Sequence, residues 1–190
     1  TAHQIADIVY EALTGEPGVF ATRIAYVSVD RARDGGRLYR LNVADSDGAN
    51  ASALLTSREP VLSPAWSPDG RKIAYASLEG SRATLFLQDL RSGQRRAISS
   101  GSGMHSAPAF SADGRRIALT ISKDGNPDIY MHSLKTGRTQ RLTTSPAIDT
   151  EPTFAPDGDT IAFTSDRGGT PQVYTIPSGG GRPERLTFDM

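Results

Sequence analysis

SPAWSPDGRKIAYAS (Ser63–Ser77) returns as APAFSADGRRIALTI (Ala107–Ile121) and again as EPTFAPDGDTIAFTS (Glu151–Ser165). The step is constant: Gly70 to Gly114 is 44 residues, Gly114 to Gly158 is 44, and Pro64, Pro108 and Pro152 keep the same interval. Each copy reads as four short strands. The first closes on an Asp-Gly turn (Asp69-Gly70, Asp113-Gly114, Asp157-Gly158), where glycine can take the positive φ of a tight hairpin. The second, Lys72–Ser77 in the first copy, has the alternation of a half-buried strand. The third carries Leu85, Phe86 and Leu87, and the fourth is short and ends near Ile98. Four strands in roughly 40–45 residues is the period of one β-propeller blade; helical and leucine-rich repeats have other periods.

Working outward, a degenerate copy precedes these three. RIAYVS (Arg23–Ser28) resembles a second strand, LYRLNVAD (Leu38–Asp45) a third and ALLTS (Ala53–Ser57) a fourth. No proline–aromatic–Asp-Gly segment stands before Arg23, so the first strand of that blade is expected from sequence beyond Met190. The reading is an all-β propeller of four-stranded blades, about four of them, starting near residues 22, 60, 104 and 148. Ile5, Ile8, Val9, Ala12 and Leu13 fall at helical spacing, with Gly15 as a stop, which predicts one helix over about 3–14. Residues 1–18 are read as the last helix and linker of a preceding domain, and 19–190 as the partial propeller.

Composition narrows the function. With 21 basic and 21 acidic side chains, nothing in the overall charge draws the chain to nucleic acid or an anionic membrane. There is no cysteine, which excludes disulfides and thiolate metal sites, and no apolar run is long enough to span a membrane. The chain opens without the pattern of a signal peptide, so an exported protein would have lost its signal before Thr1. No G-x-S-x-G elbow or P-loop occurs. His3, His105 and His132 are far apart in the chain. Asp45-Ser-Asp-Gly-Ala-Asn50 has a passing likeness to a calcium loop but lacks its spacing and closing glutamate, and is read as a turn. The expectation is a non-enzymatic binding module with no cofactor and no metal.

One set of positions varies where the rest repeats. Leu62-Ser63, Ser106-Ala107 and Thr150-Glu151 stand at the start of each first strand, which in a propeller lines the central axis. They are expected to ring one mouth of the channel. They differ from blade to blade, as drifting surface loops do and as residues chosen for a partner would.

These residues resemble the TolB family, the periplasmic propellers of the Tol–Pal system. The likeness runs through Ala6–Ser28, Val43–Asn50, Ser57–Tyr75 and Thr150–Tyr174, and the helix-to-strand junction LTGEPGVFATRIAY (Leu13–Tyr26) is its most specific part. The resemblance implies an N-terminal α/β domain, of which the helix would be the last element, and a six-bladed propeller. It also implies a periplasmic location and two partners: the lipoprotein Pal at the propeller mouth, and TolA through a segment upstream of Thr1. The family's role in outer-membrane invagination and envelope integrity comes with it. Among the mouth residues, Ala107 and Thr150 match Pal-contacting positions most clearly; Met104, His105, Ser106, Glu151 and Ser63 complete the expected set. Met104 stands where the family has histidine, and His105 is its neighbour. The competing reading is the gating propeller of a prolyl-oligopeptidase-like hydrolase, which would need a hydrolase domain elsewhere.

Overall fold

A computed structural model describes residues 2–79, 83–123 and 125–188. The chain divides into two compact units, Thr1–Arg58 and Glu59–Met190. In the first, helix α1 (Ala2–Thr14) is followed by β1 (Arg23–Arg31), β2 (Arg37–Asp45) and β3 (Ser52–Ser57), an antiparallel sheet in that order. This sheet has three strands, as expected from a blade whose first strand is not in the sequence before Arg23.

Helix α1 spans the segment predicted for it but buries none of its side chains. Ile5, Ile8 and Leu13 are 64%, 68% and 80% exposed. Polar contacts hold it instead. The Asp7 carboxylate accepts the backbone N–H groups of Phe20 at 2.6 Å and Ala21 at 3.0 Å, and the Tyr10 and Phe20 rings meet edge to face. Gly18 is required here because a Cβ would lie 2.4 Å from the Asp7 Cα.

The second unit contains three four-stranded antiparallel blades. They comprise β4 (Val61–Trp66), β5 (Lys72–Ser77), β6 (Thr84–Asp89) and β7 (Arg95–Ser99); β8 (Met104–Phe110), β9 (Arg116–Lys123), β10 (Asn126–Ser133) and β11 (Thr139–Arg141); and β12 (Asp149–Phe154), β13 (Thr160–Ser165), β14 (Gln172–Pro177) and β15 (Glu184–Arg185). Each blade pairs its strands in sequence order, the simple meander that short hairpins allow. Among the described residues, no helix follows Arg23 apart from single turns.

Central strands such as β5 and β9 bury successive residues, hence both faces, and the core forms between blades. Ala74, Leu85, Leu87 and Ile98 pack with Ile117, Leu119 and Ile121 of the next blade. Ala118, Ile129, Met131 and Leu142 pack with Ile161, Phe163, Tyr174 and Ile176 of the one after. Removing one such buried side chain costs about 2–5 kcal/mol. First strands also lie beside one another, β4 next to β8 and β8 next to β12, which brings the variable positions together.

The Asp-Gly turns explain why the repeat is so constant. Gly70, Gly114 and Gly158 have φ of +64°, +66° and +76°. In the first turn the Ser67 hydroxyl donates to Asp69 Oδ1 at 2.6 Å and accepts the Lys72 N–H at 2.9 Å. Ser111 does the same with Asp113 at 2.5 Å and Arg116 at 3.0 Å. The Ser67 hydroxyl and the Arg71 N–H hold the Asp69 carboxyl below its ordinary range. In the third turn Ala155 occupies the serine position and the hydroxyl bonds are missing, while the backbone bonds Ala155 N–H to Thr160 and Gly158 N–H to Ala155 remain at 2.9 Å. Ser111→Ala is therefore expected to lower unfolding free energy by about 1–2 kcal/mol, and Ala155→Ser to raise it slightly. Urea denaturation of the two variants measures both; a Ser111→Ala protein as stable as the parent contradicts this account of the turn.

Candidate functional site

Each first strand is broken by a bulge at the same place. Leu62 pairs with Ala76 and Ala65 with Ala74, so Ser63 and Pro64 together face one residue, Tyr75. In the next blade Ala107 and Pro108 face Leu119, and in the last Glu151 and Pro152 face Phe163. The residue in front of the proline carries a positive φ in all three: +51° at Ser63, +46° at Ala107 and +55° at Glu151. None of the three is glycine. A side chain in this left-handed region costs about 1–2 kcal/mol, and a following proline disfavours helical dihedrals further. The strands hold the strain because pairing resumes on both sides and the opposed residue is locked: Tyr75, Leu119 and Phe163 are 0%, 0% and 2% exposed. Bulges of this kind re-aim side chains at strand ends.

Three consecutive positions then have separate duties. Val61, His105 and Asp149 are anchors, 1%, 4% and 0% exposed. Leu62, Ser106 and Thr150 follow, partly or fully exposed, and Ser63, Ala107 and Glu151 make the bulge. The anchors differ completely in chemistry. Val61 is apolar. Both carboxylate oxygens of Asp149 meet Nη2 of Arg167, at 2.9 and 2.7 Å, and that guanidinium also lies over the rings of Phe163 and Tyr174. His105 shares a 2.7 Å hydrogen bond between Nδ1 and the Ser99 hydroxyl, and its Nε2 is buried with no partner among the described residues.

The expected site residues thus fall into two groups. Ser63, Ser106, Ala107, Thr150 and Glu151 stand on neighbouring inner strands at matching positions, and Met104, 48% exposed, lies at the start of β8. His105 was expected among the partner-facing residues, but its imidazole is turned inward, away from Met104 and Ser106 on the alternating strand. Leu62, expected at the mouth, is exposed beside Ser63, and the Asp149–Arg167 pair was not among the expected residues. The 44-residue step, which aligns His105 with Val61 and Asp149, carried the signal for that inward placement. Thr120 of β9 adds a contact across blades: its hydroxyl accepts the N–H of Glu151 at 3.3 Å and fixes the third bulge.

Comparison with known proteins agrees with this fold. A family model described as the TolB beta propeller domain matches residues 10–190. The Tol-Pal system protein TolB of Nitrosococcus oceani is 59% identical over 106 residues, 56% of this chain and 24% of that protein. That of Methylococcus capsulatus is 55% identical over 106 residues, 56% of this chain and 25% of that protein. The crystal structure of TolB from Acinetobacter baumannii superposes with a TM-score of 0.90 at 48% identity, over 98% of this chain and 46% of the other. The matched stretch therefore covers about a quarter of the curated relatives' length, and the chain covers under half of the solved one.

The buried histidine gives the site a pH dependence. Burial holds the imidazole of His105 below its ordinary pKa of 6.5, and burial together with the nearby Arg96 charge does the same for His132. A depressed pKa means that the unfolded chain takes up protons more readily than the folded one. The contribution to stability is therefore complete above about pH 6.5 and is lost as pH falls towards the folded values. Thermal unfolding between about pH 7 and pH 5 should show a falling midpoint, with a shallower fall for His105→Gln and a shallower one still for the double change with His132→Gln. Identical slopes for all three proteins contradict the assignment.

Proposed function

Since this chain belongs to the TolB β-propeller family, we propose that it is a non-enzymatic, protein-binding scaffold of the Tol–Pal system, acting in the periplasm. Its partner at the propeller mouth is the lipoprotein Pal, met by Thr150, Glu151, Ala107, Ser106, Met104 and Ser63. Helix α1 is the end of a preceding α/β domain, the complete propeller has six blades, and TolA is engaged by sequence upstream. Through Pal the protein supports outer-membrane invagination during division and the integrity of the envelope.

The observation that carries this reading is the repeated bulge. Strain that recurs in three blades, at residues that differ in each, suits a surface where backbone shape is fixed and side chains are chosen for a partner. Small and polar residues at Ala107, Ser106 and Thr150 let a partner's backbone approach closely. Glu151 adds a negative charge for a basic group, exposed where long-range attraction speeds encounter.

Thr150 is the position to enlarge. A β-branched side chain at Ala107 would meet the left-handed backbone and confuse strain with lost contact. Thr150→Ile in the full-length protein is expected to weaken Pal binding about tenfold, the loss of one interface contact of ~1–2 kcal/mol. The unfolding temperature should stay within a few degrees. Glu151→Gln should weaken binding chiefly at low salt. Calorimetric titration of Pal alongside thermal unfolding reads both; unchanged affinity in both variants removes the mouth as the Pal site.

A further inference from the structure

His3, on the first turn of α1, reaches the turn between β2 and β3, 42 residues further along the chain, and meets two carboxylates there. Its Nε2 lies 3.1 Å from Asp47 Oδ2, and donor atoms of His3, Asp45 and Asp47 all fall within 4.8 Å of one another. We propose that His3, Asp45 and Asp47 form a site for a divalent ion of the zinc type, which clips helix α1 to the first sheet.

The donor set selects the ion. Calcium takes six to eight oxygens and magnesium a near-ideal octahedron of them, whereas an imidazole with two carboxylates and room for water is a three-ligand zinc arrangement. Zinc lies about 2.0–2.2 Å from such donors, so the three need only close slightly by side-chain rotation. Both carriers are held in place before any ion arrives. Asp7 fixes α1 to Phe20 and Ala21, and the turn is tied back by Ser46, whose N–H donates to Thr22 at 3.0 Å and whose hydroxyl donates to Phe20 at 3.1 Å. One oxygen of each carboxylate is oriented by a neighbour: Asp45 Oδ2 accepts from the Asn50 amide at 2.6 Å, and Asp47 Oδ1 accepts the Ala49 N–H at 2.8 Å. Arg23 stands opposite Asp45 in the β1–β2 register. Access is open, with the His3 and Asp47 side chains 30% and 49% exposed.

The consequence is structural. Helix α1 buries no side chain, so its position on the sheet depends on polar contacts, and an ion bridging His3 to the turn adds a bond that the apolar core does not supply. Binding that favours the folded form also raises the unfolding temperature with ion concentration.

Zinc titration of the metal-stripped chain, read by a competing chromophoric chelator and by thermal unfolding, tests this. The expected result is one equivalent bound with a raised midpoint. His3→Gln and Asp47→Asn should each weaken binding at least tenfold with circular dichroism unchanged, and His105→Gln should leave it alone. Calcium and magnesium at equal concentration should do nothing. No saturable zinc binding, binding unaltered in the His3→Gln/Asp47→Asn double variant, or an equal response to calcium overturns the proposal.

Discussion

Ser63, Ala107 and Glu151 hold φ of +51°, +46° and +55° immediately before a proline, and the arrangement of the candidate site depends on that repeated constraint. Neither the residue type nor the proline favours the conformation. It persists because two residues must fit opposite one on the paired strand, and Tyr75, Leu119 and Phe163 are too deeply packed to yield. Leu119 and Phe163 stand between blades, so there the packing that stabilises the repeat also enforces the bulge. The first strand of each of these three blades is thereby bent at the same residue, which is exposed at Ser63 and Glu151 and partly exposed at Ala107.

Between the blades the device is constant and its chemistry is not. Three different anchors, Val61, His105 and Asp149, occupy one buried position: Val61 is apolar, His105 meets the Ser99 hydroxyl through Nδ1 alone, and Asp149 is paired with Arg167. Burying Asp149 without Arg167 would leave an unpaired charge in the interior, which is strongly destabilising. Nearby, burial raises the pKa of Asp128, opposed by Arg141, whose Nη2 donates to it at 2.5 Å, and the Asp149 charge raises it further. Each ion pair closes within its own blade, Asp128–Arg141 in the second of the three and Asp149–Arg167 in the third.

Much of the fold was legible because the repeat is written in residues with local meaning. Asp-Gly pairs gave the turns, period-two alternation gave the strands, and Ile5, Ile8 and Leu13 gave the helix, although that helix buries none of them. The candidate site was legible only as positions. Positive φ is normally announced by glycine, and here it falls on serine, alanine and glutamate, so no residue marks the bulge. His105 was read with its chain neighbours as a mouth residue; its burial follows from pairing with β9 and from Ser99, six residues earlier. The approach of His3 to Asp47 spans 44 residues and two elements, and no spacing rule reaches that far.

Glycine substitution at the bulge tests the central claim most directly. Replacing an L-residue held at positive φ by glycine removes about 1–2 kcal/mol of strain and adds about 0.5–1 kcal/mol of unfolded-chain entropy. Ser63→Gly, Ala107→Gly and Glu151→Gly should therefore leave the unfolding temperature unchanged or raise it, while Ala109→Gly, on the paired stretch of the same strand, should lower it. If the three bulge variants lose stability as Ala109→Gly does, the strained bulge is not what shapes the inner strands.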